Sequence, residues 1–259
     1  MEAVFRVEGD RVETRAHAGG PWDPTMQHGS APSSLIVFVA ERIATSVPMR
    51  VARVSVDLLR PVPVAPLEIR ARVVREGRKL QLCAVDLFAA GDVEVARGSV
   101  LKFRRADLGI DPGIGHEPLD LPGPEAGNKP EMLINRVNPF LTGLSMRVVR
   151  GAFGVPGPGA CWFRADRPLV EGTAPSPAMR AMVAGDFCNG ASSVLDYRAW
   201  TFINGDLTVS LARDPVGDWV LLDARTWLGP DGGGIAFGRL GDAQGYFGRA
   251  IQSLVIDRR

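Results

Sequence analysis

The sequence predicts an α+β chain built twice over: two similar halves, each a curved antiparallel sheet wrapped around a long, charge-poor helix. Three observations lead there. The first is internal repetition, because a missed repeat misassigns a whole architecture. "VSVDLLRPVPVAPLEIRARVV" from Val54 and "LTVSLARDPVGDWVLLDARTW" from Leu207 share one plan of strand, turn and strand. The second is the period-2 alternation of apolar and polar residues in both stretches, the mark of half-buried strands. The third is a pair of segments with few charges, "QHGSAPSSLIVFVAERI" at Gln27–Ile43 and "GDFCNGASSVLDYRAW" at Gly185–Trp200. Helices with so few charges need covering, and a bent sheet is the available cover.

In chain order, Ser30 or Ser33 can cap a first helix running through Leu35, Ile36, Phe38, Val39 and Ile43. A serine oxygen there satisfies N–H groups that the first turn leaves without partners. Strands follow from Val54, with a turn at the prolines, another around Gly77, a strand pair joined at "AAGD", and a close at "ARGSVLKFRR". "ADLGIDPGIGHEPLDLPGPEAGNKP" is rich in Gly and Pro and reads as a linker. In the second half, Asp186 to Asn189 precede an expected helix from Ala191 to Trp200. Strands then run from Leu207, turn at Gly232–Gly234, pair across "DAQG", and close at "RAIQSLVIDRR". The expected domains are 1–105 and 141–259, with 106–140 linking them.

The bulk composition excludes several function classes. A net charge of +1, with 23% charged residues, gives no footprint for nucleic acid. Cys83, Cys161 and Cys188 have neither CxxC nor Cys/His ligand spacing, so no metal site and no disulfide framework is expected. A reducing, cytoplasmic setting fits them. No membrane partner is expected, since no stretch approaches a membrane span of about 18 apolar residues. There is no GxSxG elbow. "GPDGGG" lacks the Lys-Ser/Thr ending of a phosphate loop. Cys188, without a partnered His in its motif, reads as a packed small residue.

Five pieces, taken in order, resemble a known family: "GPWDPTMQHGSAPSSL", "VARVSVDLLRPVPV", "GDFCN", "DLTVSLARDP" and "AIQSLVIDR". The chain resembles the TesB-like acyl-CoA thioesterases, and the likeness spans nearly everything but the linker. It implies a double hotdog fold and an acyl-CoA substrate, hydrolysed by water without metal or other cofactor. It also implies a catalytic trio: Asp186, a polar residue at the head of the "NGDLTV" strand, and Gln252. The family often has Thr two positions before that strand's Asp. Here Asn204 holds that place and Thr208 lies farther along, and both remain candidates. Strand alternation puts Asn204, Asp206 and Thr208 on one face, so the two candidates are expected to line one wall.

Thioester hydrolysis needs an oriented water, a base, and donors for the oxygen that becomes negative. Asp186 is the expected base, with Asn and Gln amides fixing the water's direction. First-turn N–H groups of a helix are ready oxyanion donors. Gly190 and Ala191 are therefore expected to bind substrate, as are Gln27, His28 and Gly29 at the corresponding turn of the first copy. His28 reads as a cap or as a partner for the other half rather than as the base. Aligning strand ends puts Gly98 opposite Gln252, and aligning helix starts puts Gln27 opposite Asp186. One working site, in the second half, is expected.

Two rivals stand beside this reading. One is a non-catalytic acyl-CoA or acyl-chain binding protein. The other is a hotdog hydratase or dehydratase, which needs Asp and His together near one helix start; His17, His28 and His116 all lie in the first half or the linker. "LQLCAVDLFAA" and "DWVLLDARTWL" keep apolar residues at both parities, which predicts a homodimer formed through sheet faces.

Overall fold

Each stretch of apolar–polar alternation forms strands in the computed structural model of the protein, which describes residues 1–130 and 138–259. Residues 131–137, within the expected linker, lie outside the described residues. The first half contains β1 (Phe5–Glu8), β2 (Arg11–Thr14), α1 (Ser30–Arg42), β3 (Met49–Leu58), β4 (Leu67–Arg75), β5 (Leu80–Ala89) and β6 (Val93–Arg104). The second contains β7 (Leu144–Arg150), β8 (Gly159–Ala165), α2 (Pro177–Gly185), α3 (Cys188–Ala191), β9 (Trp200–Asn204), β10 (Asp206–Leu211), β11 (Val220–Leu228), β12 (Gly233–Asp242) and β13 (Gly245–Arg258). Among the described residues, thirteen strands make one sheet in the order β1-β2-β4-β5-β6-β3-β10-β13-β12-β11-β8-β7, with β9 also on β13.

The halves meet where β3 pairs antiparallel with β10, which closes one strand edge of each half. Thr208 faces Ser55 in this ladder, and their hydroxyls bond at 3.0 Å. Each half also carries a bulge. The β3–β6 ladder slips around Ala52, between Val51 and Arg53. The strand formed by β9 and β10 slips around Gly205, since Asn204 faces Leu254 while Thr208 faces Ile251. Superposing the two bulges sets Ser55 on Thr208, so the local twofold axis passes between their hydroxyls. It also corrects the expected strand alignment. Val56 faces Gly98 and its counterpart Val209 faces Ala250, so Val100, not Gly98, corresponds to Gln252.

The helices depart from expectation in informative ways. α1 spans nearly the expected residues, but its cap is Gly29, and no serine side chain caps it. The second helix lies upstream of its expected place. Ser176 caps α2 by accepting from the Met179 N–H at 3.1 Å, and Pro177 occupies the first position, where its missing donor costs nothing. Residues 192–199 form no helix. Their polar side chains bond locally instead: Ser192 to the Cys188 carbonyl, Ser193 to the Leu195 carbonyl, and Asp196 to the Arg198 N–H. Such bonds compete with helix formation.

α1 and α2 pack on each other and on the sheet, and buried residues of both halves form one core. On the other face, Leu119 and Leu121 cover Ala160, Trp162 and Leu221. Arg239 pins this covering segment through Glu117 and Asp120, and Trp162 Nε1 donates to the Pro122 carbonyl. The chain's own connection thus buries part of the apolar surface that the sequence reading assigned to a second copy.

Candidate active site

Asp186 terminates α2, where a glycine at 185 lets the helix end sit close to the sheet: an added Cβ there would lie 2.9 Å from Val209. Asp186 is therefore at a helix C-terminus, not the helix start that the sequence suggested. Its carboxylate is buried, and four side chains converge on it. Oδ2 lies 2.9 Å from His28 Nδ1 and 3.1 Å from the Ser30 hydroxyl. Oδ1 accepts from Asn204 Nδ2 at 3.0 Å and from Gln252 Nε2 at 3.2 Å. Two of these residues sit at the start of α1 and two on strands of the second half.

Each group is there for a local reason. Gln252 faces inward with Ala250 and Leu254 on alternating β13. Its amide orientation is fixed at both ends, because Nε2 also donates to the Asp186 carbonyl at 3.0 Å and Oε1 accepts from the Asn189 N–H at 3.2 Å. Asn204 reaches the carboxylate because of the bulge. One extra residue, Gly205, shifts strand parity, so Phe202 and Asn204 share the inner face with Leu207 and Val209. Thr208 falls on the opposite face, bonded to Ser55, so the expectation that Asn204 and Thr208 line one wall fails. Both amides point at Asp186 rather than at a site for water.

Of the expected substrate-contacting residues, Gln27, His28, Gly29 and Gly190 line a cavity of about 750 Å³ that also reaches Asp186 and Asn204. Ala191 does not: it is buried against Gly159 of β8. Gln27 ties its loop down, donating from Nε2 to the Pro63 carbonyl at 2.8 Å. His28 stacks on Phe140 and lies tilted against Phe187, with ring centroids 5.0 and 4.7 Å away. Gly29 has an ordinary helical backbone, so its reason is space. A Cβ there would sit 2.6 Å from Asp186 Oδ1. Gly29→Ala should push the carboxylate off its donors and lower kcat roughly 10- to 100-fold, the scale of a small misplacement of reacting groups. Steady-state hydrolysis, with circular dichroism to verify folding, checks this.

Sequence reasoning missed the wall of the cavity. Trp22, Tyr197 and Phe202 pack with centroid separations of 6.0, 5.5 and 4.5 Å, and all three line it. Tyr197 also donates to the Gly190 carbonyl at 3.3 Å. Burial and the Asp186 charge push the Cys188 thiol far up, which leaves no nucleophilic thiolate beside the site. A separate groove of about 540 Å³ on the sheet's outer face, near Arg53 and Phe103, contains no member of the cluster.

The first half has no equivalent constellation. By the bulge superposition, Asn204 corresponds to Val51 and Gln252 to Val100. Matching α1 and α2 at their first residues, Ser30 and Pro177, sets Val39, not Gln27, against Asp186. A valine stands at all three polar positions.

Residues 18–102 match the acyl-CoA thioesterase N-terminal domain, and residues 116–256 match the acyl-CoA thioesterase C-terminal domain. The chain belongs to the acyl-CoA thioesterase family, and it is a thioester hydrolase. No curated protein matches it in sequence. Among solved structures it is similar to a conserved protein with a hot dog fold from Alicyclobacillus acidocaldarius, at 15% identity and a TM-score of 0.78, covering 98% of this chain and 95% of that one. It is also similar to the tesB protein of Mycobacterium avium subs paratuberculosis, at 15% identity and a TM-score of 0.71, covering 98% and 96%. An acyl-CoA thioesterase II from Mycobacterium marinum matches at 14% identity and a TM-score of 0.70, covering 98% and 95%. These likenesses establish the hotdog fold.

Proposed function

We propose that the protein hydrolyses an acyl-CoA at a single site, by direct attack of water on the thioester carbonyl and with no covalent intermediate. The observation that carries this reading is the convergence of Asn204 and Gln252 on Asp186 at the floor of the cavity. Asp186 supplies the negative charge against which water loses a proton, and the two amides hold that charge in place. Gly29 offers the oxyanion donor. Its backbone N–H makes no hydrogen bond among the described residues, and the start of α1 favours negative charge. Within this reading, hotdog domains at 1–105 and 141–259 each wrap a curved sheet around a helix, with 106–140 linking them. The protein works in the cytoplasm, in the acyl-CoA turnover of fatty acid metabolism. No helix among the described residues is long and apolar enough to cross a membrane.

The test is hydrolysis of a panel of acyl-CoAs, read as release of free thiol. Saturable turnover of at least one member is expected; none across short, long, branched and aromatic acyl groups would sink the reading. A second reading keeps one specific support. A hydratase or dehydratase needs Asp and His together, and His28 Nδ1 lies 2.9 Å from Asp186. Hydration of enoyl-CoA, followed by loss of the conjugated thioester's absorbance without thiol release, would favour it.

The site-bearing unit pairs with a second copy through the outer sheet face. Trp227, Ile235 and Ser253 are cross-strand neighbours, as are Phe237 with Ile251 and Ile203 with Val255. Trp227 and Val255 are 62% and 67% exposed, and a contiguous apolar strip of this kind marks an interaction surface. Light scattering at low micromolar concentration should give a homodimer, and Trp227→Glu should dissociate it. A wild-type mass near the 27.8 kDa of one chain rejects the pairing.

A further inference from the structure

The geometry points to Gly190 as the residue that decides which acyl groups fit: its missing side chain leaves a slot for a methyl branch or ring on the carbon next to the thioester carbonyl. This inference rests on the thioesterase reading of the same site. Other glycines around the carboxylate stand where a side chain would collide. An added Cβ would run into Asp186 at Gly29, the Ala191 carbonyl at Gly159 and Val209 at Gly185. Gly190 is different. A Cβ there would lie 3.8 Å from Phe153 Cε1 and 3.9 Å from the Tyr197 hydroxyl, and both are ordinary contacts. Its φ is not left-handed. After proline, glycine is also the least favourable residue inside a helix, and Gly190 lies inside α3. Neither crowding nor backbone geometry calls for glycine here, and the residue lines the cavity. What a side chain would take up is room for substrate.

The position of the slot says which part of the substrate it holds. Gly190 follows Asp186 by roughly one helical turn, and the segment between them is fixed, because the Ala191 N–H donates to the Phe187 carbonyl at 2.8 Å and Gln252 Oε1 accepts from the Asn189 N–H at 3.2 Å. The room above Gly190 therefore adjoins the reacting carbonyl rather than the far end of an acyl chain. It sorts substrates by bulk, not by length. Its polar neighbours are already engaged: the Tyr197 hydroxyl donates to the Gly190 carbonyl at 3.3 Å, and Asn189 Nδ2 donates to the Phe202 carbonyl at 3.2 Å. Such a slot suits hydrocarbon better than the amide-bearing arm of CoA, whose polar groups would lose water without gaining partners. With van der Waals neighbours on two sides of the absent Cβ, its width is that of one carbon atom. A methyl branch or the edge of a ring matches that width.

Gly190→Ala fills the slot, and the readout is a ratio: kcat/KM for the best straight-chain acyl-CoA of the panel against kcat/KM for its 2-methyl derivative. The wild-type enzyme should hydrolyse the two within about 10-fold of each other, and Gly190→Ala should lose the branched substrate roughly 10- to 200-fold relative to the straight one, the worth of one methylene in a hydrophobic pocket. Circular dichroism verifies folding. Equal effects on both substrates, as a general distortion of α3 or a slot for the CoA arm would give, overturn the proposal. So does a wild-type enzyme that rejects the 2-methyl acyl-CoA by more than about 200-fold. Should Gly190→Ala misfold, Phe153→Ala decides by widening the same slot: the ratio should shift toward the branched substrate, and an unchanged ratio overturns the proposal. A wild-type protein inactive toward every acyl-CoA would instead overturn the thioesterase reading itself, and this inference with it.

Discussion

Asp186→Asn should abolish most turnover, lowering kcat at least about 100-fold, the lower range for losing acid–base function. Size is preserved, so acyl-CoA binding should survive and KM should change little. The structure adds a second consequence. Three side chains donate to this carboxylate and His28 Nδ1 lies 2.9 Å from it, and an amide must turn its NH₂ toward two of these four neighbours. Asn204 cannot flip its amide to accept without giving up the Asp206 carbonyl, and Gln252 cannot flip without giving up the Asp186 carbonyl and the Asn189 N–H. One unsatisfied buried group costs about 1–3 kcal/mol, so thermal stability should fall together with activity. Full hydrolysis by a folded Asp186→Asn enzyme would remove Asp186 from the mechanism.

The second large effect is a contrast between the halves. Gln252→Ala should slow hydrolysis strongly while the protein stays folded, because it removes one donor to Asp186 and the brace on the Asn189 backbone. Gly98→Ala should do the reverse. An added Cβ at Gly98 meets the side chain of Ile36, itself fully buried in α1, and lies 3.2 Å from the Val85 carbonyl. Overpacking of this kind costs about 1–3 kcal/mol. Melting temperature should therefore drop by several degrees, with kcat per folded molecule nearly intact. Val100→Ala, at the true counterpart of Gln252, should leave chemistry untouched. Equal losses of turnover in folded Gln252→Ala and Val100→Ala proteins would refute a single site.

Much of the fold was legible because strand alternation is a local signal. The β3, β4, β5 and β6 ladder and its second copy lie where apolar and polar residues alternate and where Gly91 and Gly245 turn the chain with positive φ. Asp186 and Gln252 came from the resemblance to the thioesterase family, and Gln252 also drew notice as an amide in the otherwise apolar strand "AIQSLVI". Their partners were not legible. Asn204 was placed on the wrong face because a bulge at Gly205 changes parity, and alternation alone counts no extra residue. α2 was missed because Ser176-Pro177 had to be weighed against the conspicuous "GDFCNG". The Ser30–Asp186 bond spans 156 residues of sequence, and it exists because the start of α1 lies beside the end of α2, an arrangement no local pattern encodes.

The junction of β3 with β10 has a consequence for how such a molecule can change. In a symmetric pair of separate chains, every substitution arrives twice, once at each end of the paired helices, and a residue that improves one end is imposed on the other. Joining the copies in a single chain breaks that bond. The end that holds Asp186 carries a crowded set of polar groups drawn from both halves, while the opposite end carries valine at the places of Asp186, Asn204 and Gln252 and proline at that of Ser30. Asymmetry here is a division of labour: one end is spent on reactivity, the other on cohesion, and neither half retains all the parts of the working end.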